Sequence, residues 1–156
     1  MAHGSLAQYA GVFAAVFFVS SAQADKKPAT EPAVVRNAQD EDLKWGAGPA
    51  FMPKGTEMTV LHGDPAKKNA DVLLRIPAKG VVPEHWHTSA ERMVLISGEL
   101  HVTYTGQEKT VLKGGTYGYG PPKAPHGAVC VSEEPCVLFI AFESAVDAVP
   151  VAKPTK

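Results

Sequence analysis

The sequence predicts an all-β domain, a sandwich or barrel of about eight or nine strands. Three observations predict it. From Glu57 onward, apolar stretches of strand length recur at short, even intervals, with turn-forming residues between them. Val, Ile, Thr, Tyr and Phe are frequent within these stretches, and none sustains a 3.6-residue period. The 14 Gly and 13 Pro are scattered rather than clustered, which suits many short strands more than a helix bundle. A length of 156 residues favours one domain, and 45% apolar residues suffice for a core.

Taken in order, residues 1–24 contain no Lys, Arg, Asp or Glu. The run YAGVFAAVFFVSSAQA closes on the small residues of Ala22-Gln23-Ala24, and Asp25-Lys26-Lys27 follow at once. This is the pattern of a secretory signal peptide cleaved after Ala24, with only the amino terminus and His3 to supply its leading charge. Its apolar core of about 10 residues is too short to span a bilayer of ~30 Å as a helix. The mature chain is then expected to start near Asp25 in the periplasm or outside the cell, free of the membrane. Residues 25–41 are polar, proline-bearing and aperiodic, and read as a flexible leader. A barrel domain is expected over 42–147, opening with DLKWGAGPAFMPKG (42–55) as an irregular arm across its outside.

The strands follow. They are EMTVLH (57–62), DVLLRI (71–76), VVPEHWH (81–87), RMVLIS (92–97) and ELHVTYT (99–105). After a turn at GQE come KTVLK (109–113) and a short strand inside the turn-rich GGTYGYGPPKAP. GAVCVS (127–132) and CVLFIAF (136–142) close the set across the turn EEP. Residues 148–156 read as a loose tail, and no internal repeat is present.

Charge excludes one class of partner. With 15 basic and 16 acidic residues the net charge is −1, and no basic stripe exists to track a nucleic acid. Cys130 and Cys136 are allowed to pair in an exported protein. Two buried free thiols are the alternative, and the residues alone leave both open.

The chemistry-bearing stretch is PEHWHTSAER (83–92). On a strand, His85 and His87 point to one face and Trp86 to the other. Glu91 follows after a short bend, close enough to aim at the same point. Imidazole with carboxylate suits one divalent transition metal ion, iron or copper first, with manganese, nickel or zinc also accommodated. His126, where the chain re-enters a strand, completes a set of three histidines and one glutamate. No Ser-His-Asp or Cys-His arrangement competes with it.

These residues resemble the cupin superfamily, whose first motif is G-x5-H-x-H-x(3,4)-E-x6-G. Here Gly80, four residues, His85-Trp86-His87, three residues, Glu91, six residues and Gly98 match it, one residue short in the first interval. The second motif, G-x5-P-x-G-x2-H-x3-N, is matched by Gly115, Pro121 and His126, with Lys123 in place of glycine and Cys130 in place of asparagine. The resemblance spans residues 80–130 by motif and about 57–143 by strand pattern. It implies a jelly-roll barrel with His85, His87, Glu91 and His126 as metal ligands inside it. It also implies a homodimer paired through barrel edges, the arm at 42–55 covering a neighbour's edge strand.

Met93 and Leu95 are expected to share the Glu91 face as an apolar wall. Arg75 is a candidate to bind a substrate carboxylate, or to pair with an acid at the rim. Tyr117 and Tyr119 are candidates for the pocket, or for packing between barrels. His62 and His101 read as ordinary strand residues, and Trp86 and Lys123 as rim or surface. The functional expectation is an exported mononuclear metalloenzyme, an oxidoreductase of dioxygenase or oxidase type. Its substrate would be a small oxygenated organic or a carbohydrate-derived molecule, the latter with copper. The alternatives are a metal- or small-molecule-binding module without turnover, and a structural or sensory barrel that only dimerises.

Overall fold

Alternation of side chains decides which residues of each strand meet the core. In the sequence CVLFIAF, Cys136, Leu138, Ile140 and Phe142 are buried and the residues between them are only partly so. The computed structural model describes residues 31–152; the expected signal peptide lies outside them. Backbone contacts divide the chain between Ala33 and Val34, and the second unit carries every strand among the described residues.

The strands are β1 (Gly46–Ala47), β2 (Glu57–His62), β3 (Ala70–Ile76), β4 (Val81–Trp86), β5 (Glu91–Ser97) and β6 (Glu99–Tyr104). They continue as β7 (Thr110–Lys113), β8 (Tyr117–Gly120), β9 (His126–Cys130), β10 (Cys136–Phe142) and β11 (Val149–Pro150). Strands β2 to β10 lie where the sequence predicts them. They form two antiparallel sheets, ordered β1-β2-β3-β10-β5-β8 and β11-β4-β9-β6-β7. This is the jelly-roll architecture, all-β and closed around one core. That core joins Val72, Leu74, Leu95 and Leu138 of the first sheet to Leu100 and Val102 of the second. No helix among the described residues is long and apolar enough to cross a membrane.

Two short strands escape the sequence reading. Ala47 and Gly46 of the arm pair with Glu57 and Met58, and Gly48 N donates to Thr56 O at 2.9 Å. The tail expected to be loose from 148 instead pairs Val149 with Trp86 and Pro150 with His85, and Val151 N donates to Glu84 O. Two-residue strands are too short to show a period of two, and Pro150 is tolerated because β11 is an edge.

One end of the barrel is stapled. Cys130 closes β9 and Cys136 opens β10, and a disulfide joins them with their Cα atoms 5.8 Å apart. The bond links the two sheets. Gly98, in the turn from β5 to β6, has φ +87°, and a Cβ there would lie 2.9 Å from the Cys136 sulfur. Only glycine fits both the backbone and the space.

Candidate metal centre

Strand β4 contains a device that alternation alone does not predict. Val82 is buried against the core, so a regular strand would turn Glu84 and Trp86 inward and His85 outward. The pairing of β4 with β9 slips between Val82 and His85, a bulge that reverses the parity and aims His85 into the barrel. Pro83 sits in that bulge, where its missing N–H costs no ladder bond.

Register then assembles the rest. His85 lies directly across from His126, and Tyr104 flanks His126 on its other side. On the opposite sheet, Glu91 lies between Phe142 and Gly120. The four side chains meet inside. Glu91 Oε1 is 3.3 Å from His126 Nε2, and Glu91 Oε2 is 3.3 Å from His87 Nε2. One ligand nitrogen from each of His85, His87 and His126 lies within 4.8 Å of the others, and all three residues are buried. The sequence-derived quartet is therefore brought together in space.

Hydrogen bonds set the protonation of the rings. His85 Nδ1 donates to Pro83 O at 2.9 Å, His126 Nδ1 donates to Ala124 O at 3.0 Å, and His87 Nδ1 donates to Asp147 O. A carbonyl only accepts, so each Nδ1 carries a proton and each Nε2 is turned toward the centre. Three imidazole nitrogens thus converge beside one carboxylate. They fit a cation, and the donor set of imidazole and carboxylate fits a divalent transition metal.

Electrostatics set the rings apart. Burial, reinforced by the neighbouring His126 and His87, holds His85 down at about 4, so it stays neutral at pH 7. Burial also pulls His126 downward, but its contact with Glu91 outweighs that and leaves it raised. Glu91 shows the mirror image: burial pushes its carboxyl up, and the histidines, His126 first, hold it below the usual range.

Three residues that the sequence did not nominate complete the site. Asp147 holds the corner after β4: its backbone oxygen accepts from His87 Nδ1, and its carboxylate accepts from Thr88 N at 2.9 Å and from the Thr88 hydroxyl. The ring of Tyr104 packs 4.7 Å from that of His126, and its buried hydroxyl has no hydrogen-bond partner among the described residues. Burial and the Glu91 charge raise the pKa of that phenol. Gly120 leaves room for both: a Cβ there would lie 2.6 Å from the Tyr104 hydroxyl and 2.7 Å from Glu91 Cγ. Tyr104 shares strand parity with Leu100 and Val102, the one sequence signal that it faces inward.

Beside the four residues opens a cavity of about 330 Å³. Met93 lines it as expected, while Leu95 is buried deeper in the core. Arg75 does not reach it. Leu74 and Ile76 line the cavity, so Arg75 points to the outer face, where it pairs with Glu57 at 2.9 Å and stacks 3.8 Å over the Trp45 ring. Tyr117 and Tyr119 are likewise outside, 59% and 53% exposed, because Gly118 and Gly120 take the inward positions of β8. His101 turns away from the core and meets Glu99 at 2.8 Å.

Comparison with solved structures places the architecture. The polyketide cyclase RemF from Streptomyces resistomycificus superposes with a TM-score of 0.63 at 16% identity, over 76% of this chain and 87% of that one. An RmlC-like cupin from Shewanella frigidimarina NCIMB 400 gives 0.55 at 23% identity, over 68% and 86%. The DMSP lyase DddQ from Ruegeria pomeroyi DSS-3 gives 0.60 at 17% identity, over 73% and 64%. At these identities the likeness is one of fold. No protein of curated function matches the sequence. The model of the ChrR cupin-like domain matches residues 34–146, from the start of the strand-bearing unit to the wall of the cavity. With the jelly-roll and the buried histidine triad inside that span, the chain belongs to the ChrR cupin-like family of the cupin superfamily.

Proposed function

We propose that this protein is an exported, mononuclear metal-dependent oxidoreductase, of dioxygenase or oxidase type, acting on a small oxygenated organic molecule. His85, His87, His126 and Glu91 would hold one divalent transition metal, iron or copper before manganese, nickel or zinc. The observation that carries this is geometric: three backbone carbonyls hold the three Nδ1 atoms and turn three buried Nε2 atoms to one point beside the Glu91 carboxylate. Such an ion, when bound, supplies Lewis acidity and, if redox-active, a route for electrons between substrate and dioxygen.

The chain's own residues do the rest. Glu91 lowers the net charge of a buried cationic site. Asp147 and Pro83 hold the His87 and His85 rings in place through backbone oxygens. The apolar walls exclude water, which strengthens every electrostatic interaction within. The Cys130–Cys136 disulfide supports export, because such bonds persist in oxidising compartments. The exposed Tyr117 and Tyr119 on edge strand β8 favour their alternative role, in pairing two barrels as a homodimer.

The test is metal analysis of mature protein purified without added metal, beside a His85→Ala/His126→Ala variant, followed by metal-dependent dioxygen uptake. About one equivalent in the parent and none in the variant is expected of a site with these ligands. Substoichiometric metal in both would overturn the reading. Metal without oxygen uptake across substrates would leave a binding module instead.

A further inference from the structure

The walls of the cavity say more about its ligand than the metal set does. Apart from the four site residues and Asp147, every residue lining it is apolar, glycine, alanine or proline. The Asp147 carboxylate is already held by Thr88, accepting from Thr88 N and from the Thr88 hydroxyl, one bond to each oxygen. One wall is Leu74, Leu138, Ile140 and Phe142 from the six-stranded sheet; the facing wall includes Leu100 and Val102. Met52, from the arm, lies at the lining too, with Pro49 and Gly48 beside it.

We propose that the ligand of this site has an apolar body and a single oxygen-bearing head, and that it is not a sugar. The head rests on the metal reading above; the body rests on the walls alone. A hydroxyl pushed into such a wall loses its water and finds no partner, which costs about 1–3 kcal/mol. A sugar would carry several. Volume limits the size: about 330 Å³ holds roughly ten water-sized groups at ~30 Å³ each, so the head leaves room for a body of about six to eight carbons. Among the described residues lining the cavity, the histidines and Glu91 gather the polar groups that would take the head, so the body points away from them along the aliphatic side chains of β3 and β10.

The experiment is calorimetric titration of the metal-loaded protein with straight-chain alkanoates from acetate to dodecanoate, and with galacturonate. Affinity should rise about fourfold per methylene. The rise should stop at about seven or eight carbons. Met52→Trp, which partly fills the cavity from the arm and leaves every strand residue unsubstituted, should shift the optimum to shorter chains rather than weaken all chains alike. A flat response to chain length, or galacturonate binding more tightly than octanoate, in protein that holds its metal would overturn the proposal and leave the metal reading standing. The same slope in protein that takes up no metal would uphold the apolar body and remove the metal reading.

Discussion

Strand β9 passes from one kind of chemistry to another within five residues. At its first residue, His126 faces His85, Glu91 and Tyr104 in a buried polar cluster beside a cavity. At its last, Cys130 is bonded to Cys136 among Leu100 and Ile76, with no accessible surface left on either sulfur residue. Strands β9 and β10 run through both ends, yet one gathers groups that repel or desolvate each other and the other gathers groups that hold. Stability and function are separated along the barrel. A site whose histidines compete for burial costs the fold something, and a stapled end opposite it is where that cost is offset.

The largest effect should come from breaking the site end. His85→Ala removes a ring whose loss leaves both Glu91 contacts, to His87 and His126, intact. Metal affinity is expected to fall at least about 100-fold, judged against the 10–100-fold that even an outer-shell loss produces. The stability of metal-stripped protein at pH 7 should change by less than about 1 kcal/mol. Acid sharpens the contrast. His85 is held at about 4 in the fold and titrates at 6.5 when unfolded, so the unfolded chain takes up the proton first. Its contribution is intact above pH 6.5 and is lost as pH falls toward 4. Metal-stripped parent should therefore lose up to roughly 3 kcal/mol more than the variant over that window, at 1.36 kcal/mol per unit. Urea titrations at pH 7 and pH 4 measure it, and parallel loss in both proteins would contradict it.

Breaking the stapled end should do the reverse. Cys130→Ala/Cys136→Ala opens a loop spanning a sequence separation of 6. Loop-closure entropy for so short a ring gives about 2 kcal/mol, or a drop in Tm of very roughly 6–10 °C for a domain of this size. Metal content should not change. Loss of metal in this variant would show that the two ends are coupled after all.

The same comparison explains what the sequence disclosed. The strands were legible because their apolar runs alternate and their turns are marked. The four site residues were legible because spacing survives folding: His85-x-His87, Glu91 and His126 keep their intervals whatever the register. Their convergence was argued from regular alternation, yet it depends on the bulge at Pro83, without which His85 would face outward. Arg75, Tyr117 and Tyr119 failed as pocket residues for the same reason in reverse. Nothing in their local pattern told the inner face from the outer, and only the flanking Leu74, Ile76, Gly118 and Gly120 reveal it. Asp147 was invisible because it acts through its backbone oxygen across 60 residues.

Gly120→Ala tests the border between the two regimes. The added methyl would press on the Tyr104 hydroxyl at 2.6 Å and on Glu91 at 2.7 Å. Overpacking of this kind costs about 1–3 kcal/mol, and here it must displace Glu91 as well. A matching loss of metal affinity is expected, about tenfold by the scale of outer-shell changes. Isothermal titration of metal into the variant measures it, and unchanged affinity would mean that Glu91 is not a ligand.

The smallest effect compares two lysines held in the same unfavourable backbone. Lys123 has φ 59° and Lys79 has φ 60°, in the left-handed region that costs an L-residue about 1–2 kcal/mol. Lys79 lies toward the stapled end, where its ammonium donates to Val131 O at 2.7 Å and meets Glu133 at 2.6 Å. Lys123 stands in the turn that delivers His126. Its backbone N–H donates to His87 O at 2.8 Å, and its exposed side chain makes no hydrogen bond or ion pair among the described residues. Glycine removes the strain at either position and adds some unfolded-chain entropy, for a net gain of about 0.5–1 kcal/mol where no side-chain contact is lost. Lys123→Gly should therefore raise Tm by about 2–4 °C with metal binding unchanged, while Lys79→Gly, which also gives up its two contacts, should leave Tm near its starting value. Equal gains would mean that the exposed contacts of Lys79 contribute nothing, as many surface ion pairs do not. A loss at Lys123 would mean that its side chain supports the turn in a way its backbone strain conceals.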